Sequence, residues 1–291
     1  MTAPAATVGV LHQPFVAWVG AGVPSVPGLR IVGFDSVEAL GRGDELPSVL
    51  VLVEADGLPL EECLVQASLP SFSAMAVVVV VQRWSEALSW RGAQAGAFCC
   101  VPASLSVEAL GSALEAAVNE TVGRRRRLMP PNDLRQAGRC LERASFGFKS
   151  LDDAETLAAL LSGAMPDSAR RLGGVLELLV NAVEHGSLGV GAAEKRQLLL
   201  SGQLHAELER RATLPPYASR VAHASLERLE GCVRLTVSDE GDGFDFERVL
   251  AATPDLTAPH GRGIYLARAM SFDRLRYEGR GNVVVAEVDV P

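Results

Sequence analysis

ELLVNAVEHG, residues 177–186, decides how the C-terminal half of this 291-residue chain is read. It lies in a helix pattern that starts at Ser168 and runs to His185. At about 100° per residue, Leu172, Leu176, Leu179 and Val183 share one face, which belongs to a core. Pro166-Asp167 supplies a cap and Gly186 a terminator. Glu177 and Asn181 lie one turn apart on the other side, with Glu184 in the same stripe and Gly173 and Gly174 flanking it. Glycine inside a helix costs about 1 kcal/mol relative to alanine, so this pair predicts a close approach to the backbone. Alone, the stripe is an ordinary polar second face. A chemical role needs two parts: an amide oxygen hard enough for Mg²⁺, and a carboxylate able to deprotonate a hydroxyl that attacks a phosphate.

Two glycine loops follow. Asp239-Glu240-Gly241-Asp242-Gly243-Phe244 comes after the alternating strand pattern Cys232–Ser238. A carboxylate held there can accept a hydrogen bond from an exocyclic amine such as adenine's, and Gly241 and Gly243 allow tight turns. A plain strand-to-helix loop explains it equally, whereas the spacing fails the EF-hand pattern. His260-Gly261-Arg262-Gly263-Ile264 precedes the helix pattern Gly261–Met270. Such glycines expose N–H groups to phosphate, but a simple turn accounts for them too.

The order of the three changes their meaning. Residues 177–186 resemble the N-box of the gyrase/Hsp90/histidine-kinase/MutL ATPase superfamily, in the form seen in anti-sigma-factor serine kinases. Asp239–Phe244 is similar to its Asp-x-Gly-x-Gly box, and Gly261-Arg262-Gly263-Ile264 to its Gly-x-Gly-Leu box. The resemblance covers roughly residues 144–291 and implies an α+β sandwich of the histidine-kinase-like ATPase type. It implies ATP and Mg²⁺ as cofactors, with Asn181 holding the metal and Glu177 acting as catalytic base toward a protein serine or threonine. Asp239 would read adenine with Gly241 and Gly243 around it, and Gly261, Arg262 and Gly263 would shape a lid over the phosphates. His185 is expected to be structural. The sequence departs from the family in lacking a threonine near Asn282, and residues 188–229 are longer than in compact anti-sigma kinases.

Around these boxes, Ser145–Lys149 reads as a strand and Leu151–Ser162 as a helix. Residues 188–229 read as mainly helical, broken at Pro215-Pro216, and serve as a docking arm or as packing. Asp273–Tyr277 and Val283–Val290 read as a hairpin around residues 278–282.

Residues 1–120 alternate strand patterns (29–34, 48–53, 75–81, 97–101) with helix patterns (36–42, 60–66, 85–94, 106–120). That alternation implies a doubly wound α/β domain. The pattern resembles a response-regulator receiver, but a degenerate one. His12-Gln13 stands where an acidic pair belongs, Val53 at the acceptor place with Glu54 beside it, and Ala103-Ser104 where Lys-Pro belongs. Such a domain implies docking or dimerisation, a homodimer being one arrangement it allows; an unrelated doubly wound domain is the alternative. Residues 121–143, with four arginines and then two prolines, read as the linker between the 1–120 and 144–291 domains, the arginines suiting a solvated helix end.

The net charge of −8 excludes a dedicated nucleic-acid binder. Five cysteines without metal-ligand spacing fit a reducing compartment. The run Ala74–Val81 is too short to span a bilayer, so a cytoplasmic protein with no membrane partner is expected. The resulting expectation is an ATP-dependent protein serine/threonine kinase of a partner-switching pathway, phosphorylating an anti-sigma-factor antagonist and able to sequester a partner. The alternatives are an ATP-regulated binding module without catalysis and a histidine-kinase-like ATPase. The second lacks the histidine-bearing helix pair it would need.

Overall fold

Five consecutive valines, Val77–Val81, are stable in water only where a strand is covered on both faces. A computed structural model, which describes residues 6–11, 29–34, 47–54, 59–128, 138, 140–251 and 262–290, places them there. Strands β1 (Ala6–Leu11), β2 (Leu29–Phe34), β3 (Val49–Val53), β4 (Ala76–Val81) and β5 (Cys99–Pro102) form a parallel sheet in the order β2-β1-β3-β4-β5. This is the flavodoxin-like doubly wound order. Val49, Val51, Val53, Val78 and Val80 pack with Leu110, Leu114 and Ala117 of the helix Val107–Leu128. Leu50, Leu52, Val77, Val79 and Val81 point to the opposite face and are equally buried. Thr121 ties the helix to the sheet, accepting from the Ala76 N–H at 2.9 Å and donating to the Ser48 carbonyl at 2.6 Å.

That helix continues past residue 120 and includes the arginine run; Arg125 Nε donates to the Ala74 carbonyl and Nη2 to that of Pro47. The expected helix over 36–42, the pair His12-Gln13 and the junction prolines lie outside the described residues. The fifth strand ends at Pro102, so Val101-Pro102 rather than Ala103-Ser104 stands at its carboxyl end, still without a lysine.

The chain divides into two compact units, Met1–Arg125 and Arg126–Pro291. The second is an antiparallel sheet in the order β6-β7-β8-β10-β9, with β6 Arg143–Phe148, β7 Ala222–Leu229, β8 Cys232–Ser238, β9 Arg274–Glu278 and β10 Val283–Asp289. Strand β7 corrects the helical expectation for residues 188–229. AHASLERL is built of helix formers, yet pairing with β6 and β8 buries Ala222, Ala224 and Leu226 while His223 faces out. Tertiary pairing overrides local propensity here. The helix Leu151–Gly163 starts with a reciprocal capping box between Ser150 and Asp153.

Candidate nucleotide site

The helix Ser168–Asn181 carries the site, and its start differs from expectation. Asp167 sits in the left-handed region at φ 51° and makes no side-chain cap. The helix does not stop at Gly186 either. It widens at Ala182–Ser187 into a π-turn, and the left-handed residue that follows is Gly189, at φ 63°. Such widened turns recur at functional sites because they rotate side chains out of the regular helical register.

The glycines of this helix have distinct occupants. A Cβ on Gly174 would lie 2.3 Å from Ser271 Cβ, so the close approach predicted at the glycine pair is made by the helix Arg262–Ser271 of the chain itself. Arg170 and Arg171 donate to the carbonyls of Met270 and Ser271, completing the C-terminal end of that helix. A Cβ on Gly186 would lie 2.2 Å from Asp239 Cγ. Gly186 is therefore the seat of Asp239, not a helix stop.

Glu177 and Glu184 are both 3 % exposed, so the stripe is no solvated second face. Asn181 Nδ2 donates to Glu177 Oε1 at 3.0 Å. Only the NH₂ of an amide can donate to a carboxylate, so this bond turns Asn181 Oδ1 away from Glu177. At the opening of the Arg262–Ser271 helix, Gly263 packs on the same carboxylate, where a Cβ would fall 1.7 Å from Glu177 Oε1. Gly261 lies outside the described residues, and of Arg262 only the backbone, opening the helix, is described.

Asp239 stands where β8 ends. Its N–H donates to the Asn282 carbonyl at 3.1 Å, and Asn282 Nδ2 donates back to the Asp239 carbonyl at 3.1 Å. Asn282 thus braces the backbone of Asp239. Asp239 Oδ1 accepts from the Gly241 N–H at 2.8 Å. Burial raises its carboxyl above the usual range, against the lowering effect of the Gly241 bond and of Arg280 and Arg220. Gly241 packs on the Gly186 carbonyl, a Cβ there falling 2.5 Å away. Gly243, at φ 79°, packs on the Arg280 carbonyl, so the loop is knit to the β9–β10 turn. Phe244, Phe246 and Tyr277 cluster beside it, with centroids 5.0 to 6.5 Å apart. Burial, then the charges of Glu177 and Asp239, push the Tyr277 phenol upward.

Residues 188–221 pack the site from outside, which is the packing alternative of the sequence reading, but the sequence did not single out the residues that do it. Arg211 Nη1 donates to the carbonyls of Leu188 and Gly189, and the guanidinium pairs with Glu194 and Glu207. Arg220 Nη1 donates to the carbonyls of Gly186 and Ser187 at 3.2 Å and lies over the Tyr217 ring at 5.3 Å. Lys195, on the helix Ala192–Leu200, pairs with Glu184. His185 is structural as expected, its Nδ1–H donating to the Val190 carbonyl; burial, and then Lys195, lower its pKa and keep it neutral. No box contains these basic residues, and their spacing gave no signal.

Gly186, Gly241 and Gly263 thus pack around Glu177, Asn181 and Asp239, which brings two segments distant in sequence onto one helix. Residues 155–288 match the family model described as the histidine kinase-like ATPase domain. The C-terminal region is a domain of that kind. Among solved structures, that of NtrX from Brucella abortus in complex with ADP is similar at 19% identity and a TM-score of 0.33. The match covers 47% of this chain and 34% of that one, so this chain spans about a third of its length. No curated protein matches. Among the described residues of the ATPase domain and its companion unit, no helix is long and apolar enough to cross a membrane. No group of three or more His, Cys, Asp or Glu is placed to hold a metal ion among those residues.

Proposed function

We propose that the ATPase domain binds Mg²⁺-ATP and transfers its γ-phosphoryl group to a serine or threonine of a regulatory protein, an antagonist of an anti-sigma factor. The observation that carries this is the pair of buried Glu177 and half-buried Asn181, joined at 3.0 Å within reach of the glycine box. Asn181 fits a magnesium ligand: its NH₂ is spent on Glu177, which leaves a hard amide oxygen, and Mg²⁺ needs one or two protein oxygens beside phosphates. Asp239 would accept from the adenine amine, its backbone fixed by Asn282 and its side chain seated on Gly186. Glu177 would accept the hydroxyl proton as the hydroxyl oxygen bonds to the γ-phosphorus and the β–γ bridge bond breaks, releasing ADP.

The test is transfer of labelled phosphate from ATP to a candidate antagonist, compared with Glu177→Gln. A wild type that binds the antagonist and nucleotide but transfers nothing refutes the kinase. One observation favours that second outcome, a nucleotide-regulated binding module: Gly263 covers the Glu177 carboxylate that would have to face a hydroxyl. For the N-terminal unit we propose a degenerate receiver acting as a docking or dimerisation module. Its support is the 2-1-3-4-5 strand order, with Val53 and Val101 where an acceptor and a lysine would be needed. Acetyl phosphate should then leave no acid-labile phosphate on residues 1–125 by mass.

A further inference from the structure

Lys195 brings a cation to the far end of the acidic stripe from a segment that belongs to none of the three boxes. Its ammonium lies 2.5 Å from Glu184 Oε2, with the two side chains 18% and 4% exposed. Glu184 is three residues beyond Asn181, which itself holds Glu177. The stripe therefore presents two buried carboxylates with the proposed metal ligand between them. A buried carboxylate is strongly disfavoured unless a cation or hydrogen bonds compensate it, and a polyphosphate arriving beside two such groups would add like charge. We propose that Lys195 is a positioning residue for the nucleotide: by neutralising Glu184 it lets an anionic polyphosphate settle against the stripe at Asn181. The inference rests on the nucleotide-binding assignment above.

The electrostatics agree with the geometry. Burial opposes the charge on Lys195, but Glu184 and then Glu177 outweigh it and hold the ammonium protonated. His185, beside Glu184 in sequence, is kept neutral and supplies no competing cation.

Calorimetric titration of the full chain with ATP, ADP and AMP in Mg²⁺ tests this. Lys195→Met should weaken ATP by about tenfold or more, which is about 1.4 kcal/mol. ADP should lose less and AMP little, because the effect follows phosphate charge. Lys195→Arg should keep the wild-type ranking. Glu184→Gln combined with Lys195→Met removes the carboxylate and its cation together. It should recover most of the ATP affinity, and it remains decisive even if Lys195→Met alone does not fold. Equal losses for all three nucleotides would reduce Lys195 to packing. A double variant as weak toward ATP as the single one, or one that binds ATP poorly when the single variant does not fold, would show that Lys195 does not act through Glu184. Wild-type affinity in Lys195→Met would overturn the proposal outright. A wild type that binds none of the three would overturn the nucleotide assignment itself, a result distinct from the others.

Discussion

Gly186→Ala tests the joint between the helix and the Asp239 loop proposed to read adenine. A methyl there would fall 2.2 Å from Asp239 Cγ and 2.5 Å from Oδ1, far inside the 3.4–4 Å of ordinary contact. Neither partner can withdraw. Asp239 is pinned to Asn282 by two backbone-level hydrogen bonds, and the Gly186 carbonyl is held by Arg220. The strain must go into the Asp239 side chain, at about 0.5–1.5 kcal/mol for an off-rotamer torsion. The lost bond to the Gly241 N–H adds about 1 kcal/mol. Replacing glycine by alanine in a helix returns up to about 1 kcal/mol. The net expectation is about 0.5–2.5 kcal/mol of destabilisation. At about 2–4 °C per kcal/mol for a unit of this size, the unfolding midpoint should fall by roughly 1–10 °C. Adenine-nucleotide affinity should fall at least about tenfold, since the carboxylate is displaced. Differential scanning calorimetry and a nucleotide titration read the two effects. If alanine is neutral or stabilising, Gly186 is an ordinary helix glycine and the seat of Asp239 lies elsewhere.

Glu177→Gln should leave ATP affinity within a fewfold of wild type and slow single-turnover transfer by roughly 10²–10⁴-fold, whereas Asn181→Ala should weaken Mg²⁺-dependent binding and abolish transfer together. Thr121→Val removes the hydroxyl that bridges the Ala76 N–H and the Ser48 carbonyl, leaving them only their mutual bond at 3.1 Å, and should cost about 1 kcal/mol in denaturant unfolding of the N-terminal unit. Arg274, then Arg234 and Arg276, hold Glu287 at about 2, well below an ordinary glutamate. A depressed pKa contributes stability above the unfolded-state value, which is lost as pH falls through the folded one. Wild type should therefore lose stability between about pH 4.3 and pH 2, and Glu287→Gln should flatten that part of the acid-unfolding curve.

Some of this was determined by the sequence alone. The valine run declared a strand buried on both faces, because it is too short for a buried helix, is wholly β-branched, and is apolar at every position. The three boxes fixed which residues to watch, because their chemistry and order are local properties of the chain. The rest was settled only by packing. AHASLERL has helical propensity and became strand β7 because two neighbours offered hydrogen-bonding edges. Gly186 looked like a helix stop, and only the arrival of Asp239, 53 residues later, gives it a different reason to be glycine. Gly174 announced a close approach but not whose, and Ser271 of the chain itself fills it. Lys195 and Arg220 carried no signal at all. A basic residue in a charged segment is solvated by default, and its burial against Glu184 or the Gly186 carbonyl depends on where the intervening helices turn back. Patterns one or two turns long can be read from the chain, whereas contacts that span tens of residues depend on the path taken between them.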